Sequence, residues 1–253
     1  MLGEAVSRSI TPLVLIILAR ILLPEDFGVL AAATIVVSFS KVFWDAGLSK
    51  ALIQARGEIE ESANAVFWIN LGMGLLLYAL LSACAVYVAE FFEDVRIVNA
   101  LRLMGAMIPI AAACSVHTAL QQKQLNFKLL FWTRSLVALT SAAVSIPLAF
   151  SGAGYWALIA GALLGQTADA IVLWIVTPWR PRLTFNTRLA RKLLVFGRWA
   201  MLSALLSWLF LWLDALIVGG YLGTWSLGLY RTGNAFVTLV FGLIATPLIP
   251  VMY

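Results

Sequence analysis

Residues Ala19–Gln54 read ARILLPEDFGVLAAATIVVSFSKVFWDAGLSKALIQ, and the reading of this stretch decides the fold. A charged knot, Leu23-Pro24-Glu25-Asp26-Phe27-Gly28, separates two apolar runs. Proline cannot continue a helix interior, and the two acids suit the first turn of a new helix. The stretch therefore predicts helix, tight turn, helix. The second helix carries Lys41 and Asp45 in mid-run, one turn apart on one face. Ionisable groups inside an apolar helix are costly and face a bundle interior or a wet cavity. Asp45 also precedes Gly47 near the end of its run, which points to a structural role there.

Composition sets the solvent around that hairpin. Of 253 residues, 62% are hydrophobic and 11% charged, and the mean hydropathy is +0.97. Soluble domains carry about 25% charged residues, so a solvated surface cannot be built here. The chain reads as an all-α polytopic membrane protein. Its net charge of +5 fits basic loops on one side of a bilayer rather than nucleic acid. Cys84 and Cys114 lie in apolar runs and His117 is the single histidine, so no Cys/His metal site and no cofactor is expected. No cleavable signal pattern opens the chain.

A span needs roughly 20 mostly apolar residues. Eight are expected: 2–23, 27–53, 65–91, 98–120 with Pro109 as a kink, 129–150, 155–177, 193–222 and 227–253. Between them lie an acidic loop at 54–64, a polar joint at 121–128 and tight turns at 151–154 and 223–226. A basic segment at 178–192 holds Arg180, Arg182, Arg188, Arg191 and Lys192 with no acid. It divides the chain into a six-helix lobe (1–177), a linker (178–192) and the first two helices of an incomplete second lobe (193–253). Lys and Arg collect in the loops with Arg8, Lys50, Arg56, Lys123, Lys128, Arg134 and this linker, which places those loops and the N-terminus in the cytoplasm. Trp132, Trp156, Trp179 and Trp225 sit near span ends, where indoles favour the interface.

The opening hairpin returns two hundred positions later: Arg20–Leu30 lies against Gly220–Tyr230, with Leu22 matching Leu222 and Gly28 matching Gly228. The identities are few. A genuine repeat with an even number of spans per lobe implies parallel lobes related by an axis along the membrane normal, with a cavity between them.

Five segments follow in order: LARILLPEDFGVLA (18–31), WDAGLSKALIQ (44–54), ALQQKQLNFK (119–128), GYWALIAG (154–161) and WRPRLTF (179–185). Together they resemble the polysaccharide-exporter branch of the multidrug/oligosaccharidyl-lipid/polysaccharide superfamily. The likeness runs over essentially the whole chain. It implies a bacterial inner-membrane flippase of two six-helix lobes, moving a polyprenyl-diphosphate-linked oligosaccharide for surface polysaccharide biosynthesis. The chain departs from that pattern by stopping after the second helix of the second lobe. The expectation is a truncated member, or one that works with a second-lobe chain or as a homo-oligomer.

A diphosphate-linked glycan needs cations in a wet interlobe cavity and polar or aromatic groups for its sugars. Arg is suited to phosphate through its planar paired donors. Candidate diphosphate residues are Arg231, Lys41, Arg102 and Arg20; the last two also read as snorkelling to an interface, and Lys41 as a partner of Asp45. Candidate ion-coupling acids are Asp214, Asp45 and Asp169, with interhelical pairing or capping as the alternative. Candidate sugar contacts are Asn70, Gln166, Tyr230 and Asn234. Gly72, Gly74, Gly161 and Gly165 read as helix-packing residues. No catalytic constellation and no phosphate-cradling Gly-Lys-Ser/Thr loop appears, so no enzyme is expected. A multidrug cation antiporter of the same superfamily and a non-transporting membrane scaffold remain open as alternatives.

Overall fold

The computed structural model describes residues 14–45, 47–54, 59–182 and 187–248. Every element among them is a helix: α1 (14–21), α2 (Pro24–Asp45), α3 (Leu48–Gln54), α4 (Ile59–Phe91), α5 (Arg96–Gly105), α6 (Met107–Lys123), α7 (Phe127–Phe150), α8 (Tyr155–Val176) and α9 (Thr187–Leu248). Six stretches of the described chain are long and apolar enough to cross a bilayer, the last being Gly197–Thr238. The fold is an all-α polytopic membrane protein. Most of the expected first span, Arg8, the loop residues Arg56 and Glu58, and the last five residues lie outside the described residues.

The knot at 23–28 works as a helix start. Pro24 occupies the first helical position, where a missing N–H costs nothing. The Asp26 carboxylate reaches back to accept the Leu23 N–H at 3.1 Å, half of a capping box. Its other oxygen accepts the Tyr155 N–H at 3.0 Å, so one side chain ties the α1–α2 turn to the start of α8. Next to it, the Arg96 guanidinium bridges Glu25 at 2.9 Å and Asp94 at 2.8 Å. The Asp94 carboxylate also accepts the Thr224 hydroxyl at 3.0 Å. These contacts gather 23–26, 92–96, 151–155 and 223–224 at one end of the bundle, the turn end. The opposite, linker end holds Asn64, whose Oδ1 accepts the Arg182 N–H at 2.9 Å, and Gln121, which donates to Thr177 at 3.2 Å.

Several expected boundaries move. The second span breaks at Gly47, whose φ of +71° ends α2 before α3 begins. The expected loop at 54–64 is shorter, because Glu60 and Glu61 lie in the first turn of α4, where the helix dipole favours acids. The fourth span splits at Ala106 into α5 and α6. The cause is Pro109, which has no N–H for the Gly105 carbonyl and crowds it. Of the turn expected at 223–226, only Gly223 leaves helical geometry (φ 76°, ψ 178°), and it folds α9 into two arms.

The first arm of α9 lies along α2. Trp208, Trp212 and Leu216 pack against the core that contains Val29, Ala32 and Ile35 of α2, and Ala215 and Leu227 of α9 are buried in that core. Where the hairpin tips meet, a Cβ on Gly28 would lie 1.8 Å from the Thr224 carbonyl oxygen. A Cβ on Gly228 would lie 1.8 Å from the Pro24 carbonyl oxygen. A shift of two hundred residues exchanges these two contacts, as a local two-fold axis between repeated hairpins requires. Gly161 and Gly165 of α8 let Ser145, Ser141 and Val137 of α7 approach closely. Gly74 meets Ala112 of α6 in the same way, whereas Gly72 faces open space.

Candidate functional site

The candidate site runs from the cleft between the two arms of α9 to the seam between α2 and α9. Asp214 is nine residues before Gly223 and Arg231 eight after it. At about 1.5 Å per residue both lie roughly 12–14 Å from the turn end, near mid-bilayer depth. The arms of α9 bring them together. The Tyr230 hydroxyl donates to Asp214 Oδ2, and the Arg231 guanidinium lies over the Trp212 ring, 4.1 Å from its centroid. Three residues singled out separately in the sequence thus form one cluster. Stacking on an indole occupies the face of a guanidinium and leaves its edge N–H groups for an anion. The sequence reading missed Trp212, because one tryptophan among ten in an apolar chain carries no signal of its own.

Toward the linker end the seam opens into a groove of about 160 Å³. Ser38, Lys41, Asp45 and Lys50 line it from α2 and α3, and Ala200 and Ala204 from α9. Lys41 and Asp45 share this groove, but they do not pair. The Asp45 carboxylate instead accepts the Ser49 hydroxyl at 2.5 Å and the Ser49 N–H at 3.4 Å, capping α3 across the Gly47 break. Among the described residues no carboxylate lies within ion-pair distance of Lys41 or Lys50. Lys50, read from sequence only as a loop charge, is the added member, brought beside Lys41 by the bend at Gly47. On the other side of the seam the Trp208 indole N–H donates to Ser38 at 2.9 Å and its ring packs on Phe39.

A second polar cavity, about 260 Å³, lies between α6, α7 and α8. It joins the predicted Asp169 and Gln166 to Arg134, Thr118 and Thr133. The remaining candidates lie elsewhere. Asn70 is fully buried and donates to Ser115 at 2.9 Å, a bond between α4 and α6. Asn234 accepts the Thr238 hydroxyl at 3.2 Å along its own arm. Arg102 is exposed and reaches toward the Ser82 carbonyl at 3.5 Å, and Arg20 is exposed on α1. Both therefore stand apart from the seam. His117 is buried between Trp174 and Trp179, an aromatic packing position. The side chains of Arg188, Arg191 and Lys192 in the expected basic linker lie outside the described residues.

Comparison with known proteins bears on what this seam serves. Residues 17–253 match the profile of a family described as polysaccharide biosynthesis protein. The chain is 30% identical over 224 residues to the succinoglycan biosynthesis transport protein ExoT of Rhizobium meliloti, covering 88% of this chain and 45% of that protein. It is 26% identical to the teichuronic acid biosynthesis protein TuaB of Bacillus subtilis, over 79% of this chain and 42% of that one. It is 20% identical to the lipopolysaccharide biosynthesis protein WzxC of Escherichia coli, over 85% and 44%. The chain thus spans less than half the length of these relatives. No solved structure matches it.

Proposed function

Because the chain belongs to the polysaccharide biosynthesis protein family, we propose that it acts in a flippase for polyprenyl-diphosphate-linked oligosaccharide. It would work in a bacterial inner membrane, with the linker end in the cytoplasm. The observation that carries this reading is the pair of lysines at the linker end of the seam, with no ion-pair partner among the described residues, together with the stacked arginine between the two arms of α9. A diphosphate arriving from the cytoplasmic leaflet meets Lys41 and Lys50 first and Arg231 next. The exposed aromatic and hydroxyl groups around them suit sugar rings, and the isoprenoid tail stays in lipid. Asp214, hydrogen-bonded to Tyr230 beside Arg231, and Asp169 in the first-lobe cavity are the proposed coupling acids. The six-helix unit over 1–177, the linker 178–192 and the α9 hairpin are its working parts. Since the relatives are about twice as long, transport is proposed for the assembly that supplies the remaining helices, from a second-lobe chain or a second copy.

The test is complementation of a strain lacking its exopolysaccharide flippase, scored by surface polysaccharide and by accumulated lipid-linked precursor. Lys41→Ala with Lys50→Ala, and separately Arg231→Ala, are expected to lower export at least tenfold while the protein still reaches the membrane. Export at the parental level in both variants would overturn the assignment of the seam. The acids favour one second reading, a cation antiporter. It predicts that Asp214→Asn abolishes resistance to cationic drugs while the basic substitutions leave it intact.

A further inference from the structure

On the reading just given, and beyond it, we propose that Thr224 and the Asp94–Arg96–Glu25 chain form a clasp. It holds the repeated hairpins shut at the extracytoplasmic end, and its release begins outward opening. Three observations converge there. The Asp94 carboxylate is 9% exposed and accepts from both the Arg96 guanidinium and the Thr224 hydroxyl. The Arg96 guanidinium runs on to Glu25 at the start of α2. At the turn end, among the described residues, the Thr224–Asp94 bond is the one side-chain hydrogen bond that crosses from the first lobe to α9.

The same residue makes one of two equally close backbone approaches. The Thr224 carbonyl sits against Gly28 while the Pro24 carbonyl sits against Gly228. Two backbones in such contact have no room to slide. The hairpins either stay locked or part as units, which is how a two-state closure behaves. Asp94 and Arg96 are held by α4, α5 and α2, all on the first lobe, so the clasp can open at its Thr224 bond while its charged part stays intact. The Trp208–Ser38 bond lies farther along the seam toward the linker end and serves as the control position.

The test reads opening without any substrate, so its failure is distinct from failure of the flippase reading. Ala215, fully buried between α9 and the first lobe, is replaced by cysteine in the full chain carrying Cys84→Ser and Cys114→Ser. A membrane-impermeant maleimide is then applied in turn to intact cells and to inverted vesicles. The parent is expected to label slowly from both sides. Thr224→Val is expected to label about tenfold faster from the side of the turn end, the population shift that losing one hydrogen bond to a charged group allows. Thr224→Ser should stay at the parental rate and Ser38→Ala should not speed labelling from that side. Oxidation of an Asp94→Cys, Thr224→Cys pair should abolish labelling of position 215 from the turn-end side, read on the peptide that contains it, and reduction followed by removal of the reductant should restore it. Parental labelling in Thr224→Val, equal acceleration by Ser38→Ala, or unchanged labelling after oxidation of the pair would each overturn the clasp.

Discussion

Asp94 illustrates how much one side chain in this chain depends on its neighbours. Burial alone would raise its carboxyl. The hydrogen bonds from the Arg96 side chain and backbone and from Thr224, with the Arg96 charge, outweigh that and hold it below the ordinary value of 3.8. Glu25 and Asp26 of α2 and Tyr155 of α8 complete its charged and titratable surroundings. A carboxylate whose pKa is lowered by folding stabilises the fold above its unfolded value, and that contribution is lost as pH falls through the folded value. The Tm difference between the parent and Asp94→Asn in detergent is therefore expected to stay constant from about pH 8 to about pH 5 and to close below about pH 4. A difference that closes between neutral and mildly acidic pH would contradict it. At this scale the sequence was legible in part. Asp214, Tyr230 and Arg231 stood out because polar groups inside an apolar run are costly, and they meet. Lys41 stood out for the same reason, but its expected pairing with Asp45 is replaced by the bond from Ser49. Lys50 did not stand out, because only the bend at Gly47 turns it from a loop charge into a groove residue.

Between elements, glycines decide how closely helices approach. Gly28 and Gly228 each face a backbone carbonyl that cannot move aside, so a methyl at either position must separate the hairpin tips. Gly28→Ala and Gly228→Ala are each expected to cost about 1–3 kcal/mol, the range for overpacking. That lowers the apparent Tm by about 2–12 °C in a chain of this size. Gly72→Ala, which meets nothing within 4 Å, should leave Tm unchanged. Equal effects at all three positions would show that these glycines matter for chain flexibility rather than for approach. The helical class and the order of the apolar runs were readable because most are long and bounded by Pro, Gly or charge, whereas the eight spans expected compare with six among the described residues. The splits were harder to place. Pro109 signalled a kink, but the break falls at Ala106 because the strained carbonyl lies one turn earlier. At Gly47 the backbone takes positive φ inside a stretch read as one span, whereas the positive φ of Gly223 falls in the turn expected at 223–226.

For the whole molecule, the charges at the two ends make a prediction about orientation. The turn end carries Glu25, Asp26, Glu90, Glu93 and Asp94 with Arg20 and Arg96, while Lys50, Lys123, Lys128, Arg180 and Arg182, with Glu60 and Glu61, belong to the linker end. Excess Lys and Arg marks the cytoplasmic side. Epitope tags inserted at Glu93 and Gly152 are therefore expected to be reached by antibody from the periplasm, and tags at Gln124 and Arg180 only after permeabilisation. The reverse pattern would invert the path of substrate along the seam. By itself the sequence determined the solvent, the helical class, the opening hairpin and its distant echo, and the family likeness. Those properties reside in local runs of residues and in the cost of placing charge in lipid. Only the tertiary structure decided that α9 lies along α2, that Trp212 sits beneath Arg231, that Lys50 joins Lys41, and that Thr224 closes on Asp94. In lipid every helix face is apolar, so no polar stripe in the sequence marks which face meets which. Small-residue packing and hydrogen bonds between residues far apart in the chain make that choice.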